Sequence, residues 1–455
     1  MPSTPSVPDP CRCTECLDAV GDSGWSPHGR RAVYVERVRR AIHTSCDYRE
    51  AYVIGDIHGD PRALLRCLWA TGTIRSRSNN AGSSPWRALD GCLGPSDRGP
   101  VDGVLGHISW HRRTKDGVSR VVFLLGDLVD DTRDGAVVPC LAGGYEKSIV
   151  ATVLRLQREA RTVGDALVWV LGNHDIANTQ HRSLVPCRKY TSDVRTNCSR
   201  TNPDQHSSAR IGWMRSSLVD SGAVAIATYD HPGLCGLRHR VVMCHGGLSS
   251  RFVDRAVDRH ALDPAYAGRH QAVAVPTPGP HTDELLLYIN DRYDELVRSG
   301  GAPEQGLLSV CEGLHGTCDV SWCRPGVPGN VVRTDGSPWC PCKALPALGA
   351  QTVVCGHSPV DRPSVYGPCT QTHVPGDPCH THATDTAQME YIQWHGHGFD
   401  ASVCTPVTGS CFLVDVGMSR AFRGRAPQYG GALGIRVCRN GHVDSLVAAF
   451  IKCPV

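Results

Sequence analysis

No run in the chain approaches the ~20 consecutive apolar residues of a membrane span, so no spanning helix is expected. Met1 to Pro10 carry no apolar signal core, and the expected setting is therefore intracellular, cytoplasmic or nuclear. Charge of one sign is also lacking. With 47 basic and 44 acidic side chains the formal net charge is +3, which calls for no nucleic-acid or membrane partner. There is no internal repeat at solenoid spacing. Disorder throughout is excluded too, because 41% of residues are hydrophobic and only 20% charged, enough to bury a substantial core.

Cysteine, by contrast, is plentiful. Without an export signal the 23 cysteines are expected as reduced thiols rather than a disulfide framework. Cys11-Arg12-Cys13-Thr14-Glu15-Cys16 holds half of a zinc pattern, but no second half follows at finger spacing. The 48 glycines and 31 prolines fit a loop-rich protein with long insertions.

The expected organisation is an N-terminal extension over residues 1–48, irregular apart from an amphipathic helix at Arg30–His43, and one domain over 49–455. Insertions are expected near 71–118, 176–210, 262–282, 326–348 and 362–403. Helices are expected at Pro61–Trp69, opened by its proline, at Tyr145–Arg161 and at Asp283–Arg298. Cys411–Val416 and Gly434–Val437 read as closing strands.

Five short apolar runs each end in a small polar cluster. Tyr52-Val53-Ile54 leads into Gly55-Asp56-Ile57-His58-Gly59, and Val122-Phe123-Leu124-Leu125 into Gly126-Asp127-Leu128-Val129-Asp130. Val168-Trp169-Val170-Leu171 leads into Gly172-Asn173-His174-Asp175, Val241-Val242-Met243-Cys244 into His245-Gly246-Gly247, and Thr352-Val353-Val354-Cys355 into Gly356-His357. A β-branched run followed by glycine and a ligand-type residue reads as a buried strand ending in a tight loop. Strands alternating with helices give an α/β domain, and strand ends are where such domains build sites.

Asp56 and His58 lie two apart, so on an extended segment their side chains share a face. Asp127 brings a carboxylate able to bridge two cations, Asn173 a neutral oxygen, and His245 and His357 an imidazole each. Together they offer enough oxygen and nitrogen for two divalent ions of the Mn, Fe or Zn type rather than calcium. Two such ions ~3.5–4 Å apart are a device for hydrolysing phosphate esters.

These motifs, in this order, resemble the series of the calcineurin-like metallophosphoesterases, and within them the phosphoprotein-phosphatase branch. Trp322-Cys323-Arg324-Pro325, Gly356-His357-Ser358-Pro359 and Asp415-Val416-Gly417-Met418-Ser419 are similar to its Shewanella-like, bacterial-type members. The resemblance implies a two-sheet β-sandwich flanked by helices, with metals at one sandwich edge. It implies one ion on Asp56, His58 and Asp127 and a second on Asp127, Asn173, His245 and His357. His174 would donate a proton to the leaving oxygen, with Asp130 as its carboxylate partner. The implied substrate is a phosphorylated protein, with a small-molecule or dinucleotide polyphosphate as the alternative; a catalytically weak binding scaffold is the rival of another class.

The chain departs from the branch at Asp131, where an arginine usually grips the phosphate. A carboxylate there repels a phosphate dianion unless a cation neutralises it. Arg133, Arg324 and Arg420 are the candidates to make the bidentate contact instead. Asp175 stands where the branch usually has glutamate. Cys318 and Arg324 have the spacing of a cysteine-phosphatase loop but lack its Gly-rich cradle. Replacing Asp131 with Arg is expected to raise turnover of phenyl phosphate, followed by phosphate release; an unchanged or slower rate would count against an acidic grip position.

Overall fold

The computed structural model describes residues 36–77, 98–111, 119–130, 132–133, 136–137, 145–179, 203–232, 238–263, 280–299, 320–321, 323, 344–357, 364–366, 386–388, 391–393, 405–406, 411–414, 431–440 and 443–452. The chain forms two compact units, residues 1–39 and 40–455. Residues 36–39 of the first are helical. The Cys11–Cys16 pattern lies outside the described residues.

In the second unit, strands β1 (Ile42–Thr44) and β2 (Glu50–Ile54) precede helix α1 (Pro61–Ala70) and β3 (Ile74–Ser76). Helix α2 (Arg98–His107), β4 (Ile108–Trp110), β5 (Arg120–Leu124), β6 (Thr132–Arg133) and β7 (Ala136–Val137) follow. Then come α3 (Glu146–Thr162), β8 (Ala166–Trp169), α4 (Asn173–Ala177) and α5 (Pro203–Ser221). Next are β9 (Ile226–Pro232), β10 (Arg238–Cys244), α6 (Ser250–Leu262) and α7 (Pro280–Ser299). The last elements are β11 (Thr352–Cys355), β12 (Ser364–Tyr366), β13 (Thr386–Gln388), β14 (Tyr391–Gln393), β15 (Thr405–Pro406), β16 (Cys411–Leu413), β17 (Gly431–Asn440) and β18 (Val443–Lys452).

Fourteen of these strands build two seven-stranded sheets, while β3 pairs with β4 and β6 with β7 as separate ribbons. One runs β1-β9-β10-β11-β16-β12-β13, the other β14-β18-β17-β2-β5-β8 with β15 on β18. β2, β5 and β8 are parallel to one another, as are β10, β11 and β16. Every residue of β2, β5 and β11 is buried, which explains why these strands read as continuous apolar runs rather than alternating ones. Helices cover the sheets: α1 packs on β17, α3 on β8 and α7 on β9. Asp60 caps α1 by accepting from Arg62 N and Ala63 N, and Pro61 fills the first helical position where no donor is lost. This is the α/β two-sheet fold that the motifs imply.

Register decides where the loops begin. Ile54 pairs with Leu124 and Leu124 with Trp169, while Cys244 pairs with Cys355. The motif loops therefore leave their sheets level with one another.

Several elements differ from expectation. Ile42 and His43 do not end a helix; they pair in parallel with Thr228 and Tyr229 as β1. Helix α5 starts at Pro203, where a loop through Arg210 was expected, because its polar first half shows no apolar period to read. Within 362–403, β12 and β13 extend one sheet and β14 the other. Strand β18 was not anticipated at all. Among the described residues no disulfide forms, and no helix is long and apolar enough to cross a membrane.

The described ends of the 71–118 stretch are anchored by charge. β3 and β4 form an antiparallel ribbon, and Asp165 ties it to β5. Its Oδ2 accepts from Trp110 Nε1 at 2.7 Å and Arg120 Nη2 at 3.0 Å, and its Oδ1 from Arg120 N at 2.8 Å. Arg120, fully buried, also donates to Gly72 O at 3.0 Å and to His111 O. Asp165→Ala is expected to cost roughly 3–5 kcal/mol in chemical denaturation, since it strands a buried guanidinium. A loss below about 1 kcal/mol, typical of exposed pairs, would show that the clamp carries no load.

Candidate metal centre

The loops leaving these strand ends are held in a backbone conformation that side chains disfavour. Among the described residues, the non-glycines with left-handed φ are His58 (47°), Asp127 (48°), Asp130 (76°) and His357 (59°). Each belongs to a motif, and strain of this kind persists only where surrounding contacts enforce it. The contacts are present. Ile57 N and His58 N donate to Asp127 O at 3.2 and 2.7 Å, and Gly59 N donates to Leu128 O at 3.0 Å. Gly126 and Gly172 meet face to face: a Cβ on Gly172 would fall 2.2 Å from Asp127 Oδ1, and one on Gly126 2.3 Å from Gly172 N. Only glycine fits either position.

Asp175 clamps this junction from beneath. Its Oδ2 accepts from Gly172 N, Asp127 N and Trp169 Nε1, all at 3.0 Å, and its Oδ1 from Leu128 N at 3.2 Å. Burial first, and then the Asp127 charge, push its carboxyl up to about 7. A third-residue acid reaching back to the residue before the helix is a readable N-terminal signature, and it marks Asp175 as a positioning group.

The expected ligands converge. Asp56, Asp127, His245 and His357 each offer an atom within 4.8 Å of the others, as do His58, Asp127 and His174. Asp127 is common to both groups. His245 Nε2 lies 2.8 Å from Asn173 Oδ1, 3.2 Å from His357 Nδ1 and 3.3 Å from Asp127 Oδ2. His58 Nε2 is 3.7 Å from both Asp56 Oδ2 and Asp127 Oδ2. Backbone carbonyls select the ring atoms: His58 Nδ1 meets Asp130 O at 3.1 Å and His245 Nδ1 meets Leu125 O at 2.6 Å. With Nδ1 donating to a carbonyl, Nε2 is the atom that faces the cluster and would meet a cation.

Two oxygens test whether cations belong here. Asp56 Oδ1 accepts from His357 N at 3.1 Å, and Asp127 Oδ1 accepts from His174 N at 2.9 Å. Their Oδ2 atoms are buried and accept no hydrogen bond. Buried carboxylate oxygens without donors are costly, and a metal removes that cost. The donor set, carboxylate and amide oxygen with imidazole nitrogen, suits Mn, Fe or Zn. The residues fit paired divalent ions.

Electrostatics agree. Burial works to raise the Asp127 pKa, but His245, then His174 and His58, hold it well below the ordinary carboxylate value. Burial opposes charge on His245, yet Asp127 and Asp56 lift it to about 10. A proton on His245 thus takes the place of a cation, and metal must displace it.

His174 Nδ1 lies 2.7 Å from Asp130 Oδ2, while its Nε2, 3.7 Å from Asp127 Oδ2, faces the ligand cluster. Burial raises Asp130 to about 6, with His174 opposing. All six expected ligands, His174 and Asp130 therefore meet in one place. Of the arginines expected on the substrate, the backbone of Arg133 is in β6, and its side chain, together with Arg324, Arg420 and the neighbouring Asp131, lies outside the described residues. Glu146, Asn178 and Arg210, which the motifs did not mark, line up behind the His174–Asp130 pair.

Comparison with known proteins gives the following. A family model described as calcineurin-like phosphoesterase matches residues 51–361. No curated protein matches. The crystal structure of a cold-active protein-tyrosine phosphatase from a psychrophilic Shewanella species is similar at 14% identity and a TM-score of 0.44, covering 87% of this chain and 78% of that one. The phosphatase domain of the Legionella effector WipB aligns at 14% identity and a TM-score of 0.33, over 67% of this chain and 98% of that one. At those scores neither likeness bears on substrate.

Chelator-stripped protein titrated with Mn²⁺ in weak buffer near neutral pH is expected to take up about two ions per chain. It should release protons as it does so, and its affinity should fall as pH is lowered, because metal displaces the His245 proton. Elemental analysis of Asp127→Asn should find fewer ions; equal content in both proteins would refute the shared role of Asp127.

Proposed function

Because the chain belongs to the calcineurin-like phosphoesterase family, we propose that it is a two-metal phosphoprotein phosphatase, acting on phospho-Ser/Thr or phospho-Tyr side chains. Asp56, His58 and Asp127 would hold one ion, and Asp127, Asn173, His245 and His357 the other. When bound, the pair supplies charge stabilisation at the phosphoryl oxygens and activation of the attacking water.

The observation that carries the reading is the 2.7 Å contact between His174 Nδ1 and Asp130 Oδ2 beside the ligand cluster. Cleaving an alkyl or aryl phosphate expels an alkoxide or phenoxide, which needs a proton as the bond breaks. Asp130 holds the imidazole by one nitrogen and turns the other toward the cluster, the direction in which a leaving oxygen would take a proton. Splitting a polyphosphate expels a phosphate, a far better leaving group, for which a dedicated donor is worth less. The dyad therefore favours an ester substrate over a dinucleotide polyphosphate. A scaffold without catalysis is disfavoured, because nothing in a binding role needs two buried, donorless carboxylate oxygens.

His174→Asn is expected to lower kcat on phenyl phosphate by roughly a hundredfold or more with metal content unchanged. A panel of phosphopeptides against dinucleotide polyphosphates then tests the substrate class. Faster turnover of the dinucleotides, or an undiminished His174→Asn, would overturn the reading.

A further inference from the structure

The His174–Asp130 pair is closed into a ring by three buried side chains from separate elements. Asp130 N donates to Glu146 Oε1 at 2.7 Å. Glu146, the first residue of α3 and fully buried, takes Arg210 Nη1 on its other oxygen at 3.0 Å. Arg210, on α5, turns its Nε to Asn178 Oδ1 at 3.0 Å. Asn178 Nδ2 donates to His174 O at 2.8 Å, which returns the circuit to the dyad. Arg210 is itself only 8% exposed, with its guanidinium 6.0 Å from the Trp213 ring centre.

We propose that Arg210 is a positioning residue for the proton donor, one guanidinium that holds both members of the dyad at once. The inference rests on the phosphatase reading above. It reaches Asp130 through Glu146 and His174 through Asn178, and so fixes the distance between a carboxylate on the loop after β5 and an imidazole on α4. The need is physical. Asp130 sits at φ 76°, a conformation it leaves unless its N–H is gripped, and the grip is a glutamate that must itself be neutralised in a buried site. Only a planar fork of donors serves a carboxylate and an amide oxygen together; a lysine would supply the charge without the second direction. A plain structural ion pair between α3 and α5 would need no branch to Asn178.

The test compares two substrates that differ in their need for a proton. Nitrophenyl phosphate releases a stabilised phenoxide, while phenyl phosphate depends on the donor. Arg210→Met is expected to slow phenyl phosphate roughly tenfold or more and nitrophenyl phosphate far less, part of the factor that general acid catalysis supplies. Arg210→Lys should fall between, and metal content by elemental analysis should stay at the wild-type value. If Arg210→Met leaves too much uncompensated charge to fold, the double variant Arg210→Met/Glu146→Gln removes both charges and should show the same skew. Equal slowing of both substrates would mark Arg210 as merely structural and overturn the proposal. A second readout needs no turnover. In protein labelled with ¹⁵N-histidine, the ring proton that His174 shares with Asp130, assigned by its loss in His174→Asn, should be present in wild type and lost in Arg210→Met. Its persistence in Arg210→Met overturns the proposal even if the wild type hydrolyses phosphate. Its loss in Arg210→Met, with a wild type that hydrolyses neither substrate, upholds the positioning role and sinks the phosphatase reading instead.

Discussion

Two carboxylate oxygens, one on Asp56 and one on Asp127, point inward with no donor to meet them. Their partners on the same side chains are pinned by backbone N–H groups of distant loops, so neither carboxylate can turn away to find solvent. The surrounding geometry answers that constraint. Imidazoles crowd the oxygens, and peptide carbonyls fix which ring atom faces them. Four side-chain-bearing residues accept left-handed backbone to bring the set together. The site holds negative charge and strain that divalent cations would relieve, and folding energy from two well-buried sheets sustains both.

The sheets matter to the site through register more than through shape. Where Ile54, Leu124 and Trp169 stand level across three parallel strands, the loops after them emerge side by side. Cys244 opposite Cys355 does the same for the two histidine loops of the other sheet. A slip of one residue would reverse the faces of a strand and carry its ligand away from the others.

Legibility in the sequence followed the same physics. The five motif strands were readable because burial on both faces leaves an unbroken apolar run, and their glycines were readable because close approach forbids a Cβ. The residues that converge in the candidate metal centre were identifiable from residue type at strand ends. Glu146 was not, since a glutamate opening an amphipathic helix looks like any solvated first-turn acid. Arg210 was hidden more deeply: it lies in a polar stretch without periodicity, and its role depends on contacts to residues 32 and 64 positions away. Strands β12 to β14 escaped because each has only three residues and lies in a stretch dominated by Pro, His, Thr and Gly. The difference between reading a ligand and missing its support is one of locality. Ligand chemistry shows in a few consecutive letters, whereas a supporting ring of hydrogen bonds exists only once the chain is folded.

That non-locality has a temporal side. The bond from His357 N to Asp56 Oδ1 joins residues 301 positions apart, and β11 must dock beside β10 before it can form. During synthesis the amino-terminal half emerges with Asp56, His58 and Asp127 long before His357 leaves the ribosome. The chain thus spends most of its translation with a partial ligand set and its carboxylates still open to water. Ion capture becomes one of the closing events of maturation, and the choice of ion falls to whatever pool the finished fold meets.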